Sequence, residues 1–146
     1  MPDDKKSDDK NNAKVVAACE KVWDDYKSDC SGFVRAVAVE LKITAVTGNA
    51  NDIVDSMASD PWKTLKDGVE AKQKAEEGNF VVAGLKATPN GHVAVVVGGP
   101  LNREKYPSGY WGQLSGQGKK NETLNWSWTL TDLAKVTYAY RQIPNQ

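Results

Sequence analysis

Hydrophobic residues recur at helical spacing in the first part of the chain. Successive positions are four, three and four residues apart, which places them on one face of a helix that begins near Ala13. These positions are Val15, Cys19, Val22 and Tyr26. The pattern therefore predicts an amphipathic helix that packs its apolar face on the rest of the protein.

A second helix is predicted to begin near Cys30 and to end near Leu41. Ser28 and Asp29 come just before it, and both residue types favour the N-cap of a helix. Its apolar positions share one face: Cys30, Val34, Val37 and Leu41. We therefore expect Cys30 in the first helical turn, on the side that meets the core.

Two shorter helices are predicted in the middle of the chain. One begins at Asn51 or Asp52 and runs through Met57. The other covers residues 68–77 and is followed by Gly78, a residue type that commonly ends helices. The polar composition of this second helix predicts that it is exposed.

Short apolar runs rich in β-branched residues begin at residue 80. Residues 80–85 and 92–97 are separated by a turn-rich loop and predict an antiparallel hairpin. The second run is apolar on both faces, which is typical of a central strand. Further strands are predicted at 109–114 and 136–143, and a flexible polar loop at 116–121. Helices thus come first and an antiparallel sheet follows, as in an α+β fold with N-terminal helices packed on a central antiparallel sheet.

Length and charge limit the domain organisation and the partners. Residues 1–12 are polar with mixed charge and predict a disordered or loosely held tail, whereas 13–146 are expected to form a single domain. The 19 basic residues are matched by 19 acidic ones, so no basic excess exists for nucleic acid or an anionic membrane. No apolar run approaches the ~20 residues of a membrane span, and the polar start is not a secretory signal.

Two cysteines and one histidine limit the metal chemistry. Their spacing fits no usual zinc pattern, and we expect no metal and no cofactor. Cys19 lies in the middle of a helix on an apolar face, where a core role is the simplest interpretation. A disulfide between Cys19 and Cys30 is an alternative, and it would block any reaction that needs a free Cys30 thiol.

Cys30 has two interpretations. A thiol at a helix N-terminus lies near unpaired N–H groups and the positive end of the helix dipole. Such sites can lower a cysteine pKa from ~8.5 to about 3.5–7.5, which favours the nucleophilic thiolate. The alternative is that Cys30 is a small buried hydrophobic residue.

His92 begins a predicted strand, where it could face a helix N-terminus packed on the sheet. Imidazole titrates near neutral pH, so it could accept a thiol proton and return one to a leaving amine. The alternative is a structural histidine at a loop edge. Trp126 and Trp128 would share one face of a strand and could form a stacking surface, although such residues are more often buried.

Two motifs in the sequence, one around Cys30 and one around His92, resemble motifs of a known family. Residues 28–33 read SDCSGF and resemble the Asp-Cys-Ser-Gly motif of NlpC-type papain-like cell-wall peptidases. Residues 91–98 read GHVAVVVG and resemble their histidine strand. With segments 48–51, 83–86, 99–101 and 105–107, most of the chain from about residue 13 resembles the first class of type VI secretion amidase effectors.

The resemblance implies a papain-like fold and a cysteine hydrolase that cleaves the γ-D-glutamyl–diaminopimelate bond of peptidoglycan stem peptides. Cys30 would be the nucleophile and His92 the general base and acid. It also implies an antibacterial toxin that the type VI secretion apparatus delivers from the producer cytoplasm into the target-cell periplasm without a signal peptide. A cognate immunity protein is expected as a partner, and the effector itself is expected to be a monomer.

The sequence departs from the wider group in two places. The glycine-rich, tyrosine-containing loop that usually precedes the cysteine is replaced by a helix, so Tyr26 is only a candidate for the upstream tyrosine. The residue that orients His92 is also open between Gln113 and a backbone carbonyl. Two rival functions stay open as well: a papain-like toxin that deamidates or cleaves a protein, and a non-catalytic module that binds the cell wall.

Overall fold

The computed structural model describes residues 2–113 and 116–144 of the chain, with side chains from residue 12 onward. The helices are α1 (Pro2–Tyr26), α2 (Cys30–Glu40), α3 (Ala50–Ser56), α4 (Gly68–Glu76), a 3₁₀ turn (Leu124–Trp126) and α5 (Leu130–Leu133). The strands are β1 (Lys63–Leu65), β2 (Phe80–Leu85), β3 (His92–Asn102), β4 (Tyr106–Trp111), β5 (Lys119–Thr123) and β6 (Thr137–Arg141). No helix in these described ranges is both long enough and apolar enough to cross a membrane.

The strands form one six-stranded sheet in the order β1-β6-β2-β3-β4-β5. Each neighbouring pair is antiparallel. The predicted hairpin is confirmed, because β2 pairs with β3 and Val82 lies opposite Val95. The predicted central position of β3 is confirmed too, and the α+β class is therefore correct.

Helices cover both faces of the sheet. Side chains alternate along β3, so Val93, Val95 and Val97 enter the core that α1, α2 and α3 cover. Ala94 and Val96 point the other way, into a second core beneath α4, the 3₁₀ turn and α5. The prediction that the N-terminal helices pack on the sheet is confirmed for α1 to α3. Burial on both faces explains why β3 is apolar without interruption from Val93 to Val97.

The edge strands differ most from the predictions. The loop expected at 116–121 is partly wrong, because β5 begins at Lys119 and most of its residues are exposed. β1 was not predicted at all, and its three residues lie at the other edge of the sheet. Exposed edge strands lack the apolar alternation that identifies a strand in a sequence. The strands predicted at 109–114 and 136–143 are confirmed as β4 and β6, with different bounds. Residue 114 lies outside the described residues.

The N-terminal helix begins earlier than the apolar pattern indicates. α1 starts at Pro2, within the segment predicted to be a loosely held tail, and residue 1 lies outside the described part. The side chain of Asn12 accepts a hydrogen bond of 3.1 Å from the Gly98 N–H, which ties the end of this segment to β3. The tail at 1–12 and the single domain at 13–146 stay predictions.

Candidate active site

Cys30 is the first residue of α2, as predicted, and its side chain is only 3% exposed. Asp29 is the N-cap of this helix, and its Oδ1 accepts a hydrogen bond of 3.0 Å from the Gly32 N–H. A Cβ at residue 32 would collide with the Asp29 carboxylate, so the glycine makes room for the cap. The SDCSG sequence therefore builds a tightly capped helix start with the thiol turned inward.

The turn before Cys30 is held from the opposite side by the segment that follows β4. The Lys27 carbonyl accepts hydrogen bonds from the N–H groups of Gln113, at 3.0 Å, and Gly118, at 2.8 Å. The Ser28 hydroxyl donates to the Gly116 carbonyl at 3.1 Å. These contacts fix the start of α2 relative to the sheet, and with it the position of the Cys30 sulfur.

His92 is the first residue of β3, and the loop at 86–91 leads into it. Asn51 on α3 anchors this loop, because its Nδ2 donates to the Ala87 carbonyl at 2.9 Å and its Oδ1 accepts from the Ala87 N–H at 3.1 Å. A salt bridge of 2.7 Å between Lys86 and Asp55 adds a second link to α3. Residues 48–51 are part of the family resemblance, and through Asn51 they help to hold the loop that leads into His92.

Replacing Asn51 with alanine is expected to release the loop at 86–91 from α3. Two hydrogen bonds are lost, and we expect a loss of about 1–2 kcal/mol of unfolding free energy in urea titrations. Asn51→Asp keeps the acceptor and loses the donor, so it should fall between alanine and the wild type. A fully stable Asn51→Ala protein would contradict the anchoring role.

Cys30 and His92 line the same cleft, which has a volume of about 420 Å³. The other lining residues are Pro89, Asn90, Gly91, Gln113 and Ser127. The Cys30 sulfur lies 3.9 Å from the Gly91 carbonyl oxygen, next to His92 in the chain. Cys30 on a helix and His92 on a strand are 62 positions apart in the sequence. The fold thus brings a thiol and an imidazole to one solvent-reachable cleft.

The environment of the thiol differs from the expected one. Burial raises the pKa of the Cys30 thiol above its ordinary value, and the charge of Asp29 acts in the same direction. Hydrogen bonds from the backbone N–H groups of Val93, Ser31 and Cys30 lower the pKa but do not outweigh burial. Of the two interpretations of Cys30, burial therefore determines its pKa, because desolvation disfavours the thiolate more than the N–H groups of the helix start favour it.

The His92 ring is held on two sides. Its Nε2 lies 2.6 Å from the Ser127 hydroxyl oxygen, and the Trp128 ring meets it edge-on with the ring centroids 4.9 Å apart. Burial lowers the pKa of His92 from 6.5 to about 4. The imidazole is therefore neutral at neutral pH, which is the form that can accept a proton.

Ser127 is the site residue that the sequence analysis missed. Gln113, one candidate for orienting His92, lines the cleft. The hydrogen-bond partner of the His92 Nε2, however, is the Ser127 hydroxyl. Trp128 is 8% exposed, in line with the more frequent burial of such residues, whereas Trp126 ends a 3₁₀ turn and is 63% exposed, so the two indoles do not share the face of a strand. No sequence signal marks a lone serine between two tryptophans as a partner of a histidine 35 residues earlier.

Cys19 is a core residue, as predicted. It is fully buried in α1, and burial raises its pKa well above the ordinary value. Cys19 and Cys30 are both free, so the disulfide alternative is wrong. The Cys30 thiol is thus free to react.

A buried thiol at a helix start and an imidazole at a strand start, both lining one cleft, form an arrangement suited to nucleophilic catalysis. No known family model matches the chain. The chain is 41% identical over 134 residues to the peptidoglycan amidase Tse1 of Pseudomonas aeruginosa, which covers 85% of this chain and 86% of Tse1. The protein therefore belongs to the Tse1 family, and the resemblance to type VI secretion amidase effectors is confirmed.

Proposed function

We propose that the protein is a cysteine amidase that hydrolyses the γ-D-glutamyl–diaminopimelate bond of peptidoglycan stem peptides. The observation that supports it best is the cleft shared by Cys30 and His92, in a chain of the Tse1 family. We further propose that the α+β fold is of the papain-like NlpC type. The helix-borne thiol and the strand-borne imidazole both fit that type.

In the first half of the reaction, the Cys30 sulfur attacks the amide carbonyl carbon. The thiol proton moves to His92, most directly to Nδ1 because Nε2 faces Ser127. A sulfur–carbon bond forms, and the carbonyl oxygen becomes an oxyanion. When the carbon–nitrogen bond breaks, His92 gives its proton to the departing amine, and a thioester remains.

In the second half, water attacks the thioester while His92 accepts one of its protons. The sulfur–carbon bond breaks, the His92 proton returns to sulfur, and the new carboxylic acid leaves and ionises in water. We propose that the Cys30 N–H, in the first turn of α2, donates a hydrogen bond to the oxyanion in both halves. No metal or cofactor takes part in this scheme.

The biological setting follows from the family. We propose that the type VI secretion apparatus carries the protein from the producer cytoplasm into the target-cell periplasm, where peptidoglycan lies. A cognate immunity protein that covers the cleft would protect cells that share the toxin. The balanced charge supports neither a nucleic-acid nor a membrane partner, and we propose that the effector acts as a monomer.

The test is digestion of purified sacculi that contain diaminopimelate, followed by mass spectrometry of the released peptides. We expect new fragments that end in D-glutamate, with matching fragments that begin with diaminopimelate. The Cys30→Ala protein serves as the control and should release none. If the wild-type protein leaves the stem peptides intact, the proposed function is wrong.

A further inference from the structure

The 2.6 Å contact between the Ser127 hydroxyl and the His92 Nε2 joins two elements that are distant in the sequence. Both residues line the cleft that Cys30 also lines. A hydroxyl is neutral, and its oxygen can accept a hydrogen bond from a ring N–H in both the neutral and the protonated imidazole. Ser127 can therefore hold one ring orientation throughout a proton-transfer cycle.

Ser127 itself is firmly placed. Its N–H donates to the Leu124 carbonyl at 2.9 Å, and the Trp128 N–H donates to the same oxygen at 3.1 Å. The Leu124 side chain is fully buried in the core beneath the sheet. The serine therefore lies on a turn that is anchored in the core.

Trp128 restricts the ring from a second direction. Its indole is almost fully buried and meets the His92 ring at an interplanar angle of 68°. An edge-on aromatic contact resists rotation of the imidazole, but it offers no partner for a ring nitrogen. The Ser127 hydroxyl is therefore the described hydrogen-bond partner of His92 Nε2, and it can accept from an Nε2–H or donate to a bare Nε2.

We propose that Ser127 is a positioning residue that keeps the proton of neutral His92 on Nε2, so that the Nδ1 lone pair is free to take the Cys30 proton. This inference rests on the proposed cysteine mechanism. In the alternative tautomer, the Nδ1 lone pair is replaced by an N–H, and the ring cannot act as a base on that side.

The kinetic test compares Ser127→Ala, Ser127→Thr and a matched control on soluble stem-peptide fragments. We expect Ser127→Ala to lower kcat by about 10- to 100-fold with little change in KM, because misplacement of a catalytic group affects the chemical step. Ser127→Thr keeps the hydroxyl and should retain most of the activity. The control is Ser56→Ala, which removes a serine hydroxyl bonded at 2.7 Å to the Ile53 carbonyl on α3, and it should leave kcat unchanged.

A measurement without substrate separates this inference from the proposed function. The chain has one histidine, so nitrogen-15 NMR of its ring reports the His92 tautomer directly. We expect the Nε2–H form to dominate in the wild type and a mixture in Ser127→Ala, with slower alkylation of Cys30 by iodoacetamide in the variant. An unchanged tautomer and alkylation rate in Ser127→Ala, or an equal loss in Ser56→Ala, would overturn the positioning role even if the sacculi are digested.

Discussion

Replacing Cys30 with alanine is expected to lower the rate of peptidoglycan hydrolysis by at least about 10⁴-fold. The sulfur is the atom that bonds to the substrate in the proposed mechanism, and no other described residue of the cleft can take its place as a thiol nucleophile. The rate should be measured as peptide release from labelled sacculi. Target cells whose periplasm contains the Cys30→Ala variant should not lyse.

Cys19→Ala is the matched control for Cys30→Ala, because it removes the other free cysteine of the chain. Cys19 is fully buried in the core that α1 contributes to, so the substitution should cost on the order of 1–2 kcal/mol of stability. The folded Cys19→Ala protein should keep its hydrolytic rate. Full activity in Cys30→Ala would exclude this nucleophile and would favour a binding module instead.

The second large effect concerns pH. The pKa of His92 is lowered from 6.5 to about 4 by burial, so between these values the unfolded chain binds a proton that the folded protein does not. The contribution of neutral His92 to the free energy of unfolding is fully present above pH 6.5. It is lost progressively as the pH falls toward 4. We expect this loss to reach about 3 kcal/mol of unfolding free energy.

The measurement is urea unfolding of the wild type and of His92→Gln at pH 7 and at pH 4.5. Carboxylates titrate in both proteins, so only the difference between them reports on His92. The wild type should lose more stability on acidification than the variant, and parallel losses would contradict the buried neutral imidazole. The same pKa predicts that the acid limb of the kcat/KM profile lies near pH 4 rather than near 6.5.

Local patterns in the sequence were sufficient to predict the elements that carry Cys30 and His92, the two side chains proposed to react. The Asp29 cap and the apolar face of α2 placed Cys30 at a helix start, and the apolar run of β3 placed His92 at the start of a central strand. Both depend on residues within a few positions of the side chain concerned. The family resemblance then related the two motifs to one activity.

Features that depend on distant contacts could not be predicted. The thiol pKa is decided by how deeply the helix start is buried, which no pattern near Cys30 reveals. Ser127 reaches His92 only because a 3₁₀ turn follows β5, and the exposed residues of β5 do not have the alternation of a typical strand. Trp126 and Trp128 were assigned to one face because a strand was assumed where the chain turns.

The Lys27 carbonyl receives its hydrogen bonds from residues 113 and 118, far beyond the turn that it belongs to. A nascent chain therefore cannot form these two hydrogen bonds at the start of α2 before residues 113 and 118 have been synthesised.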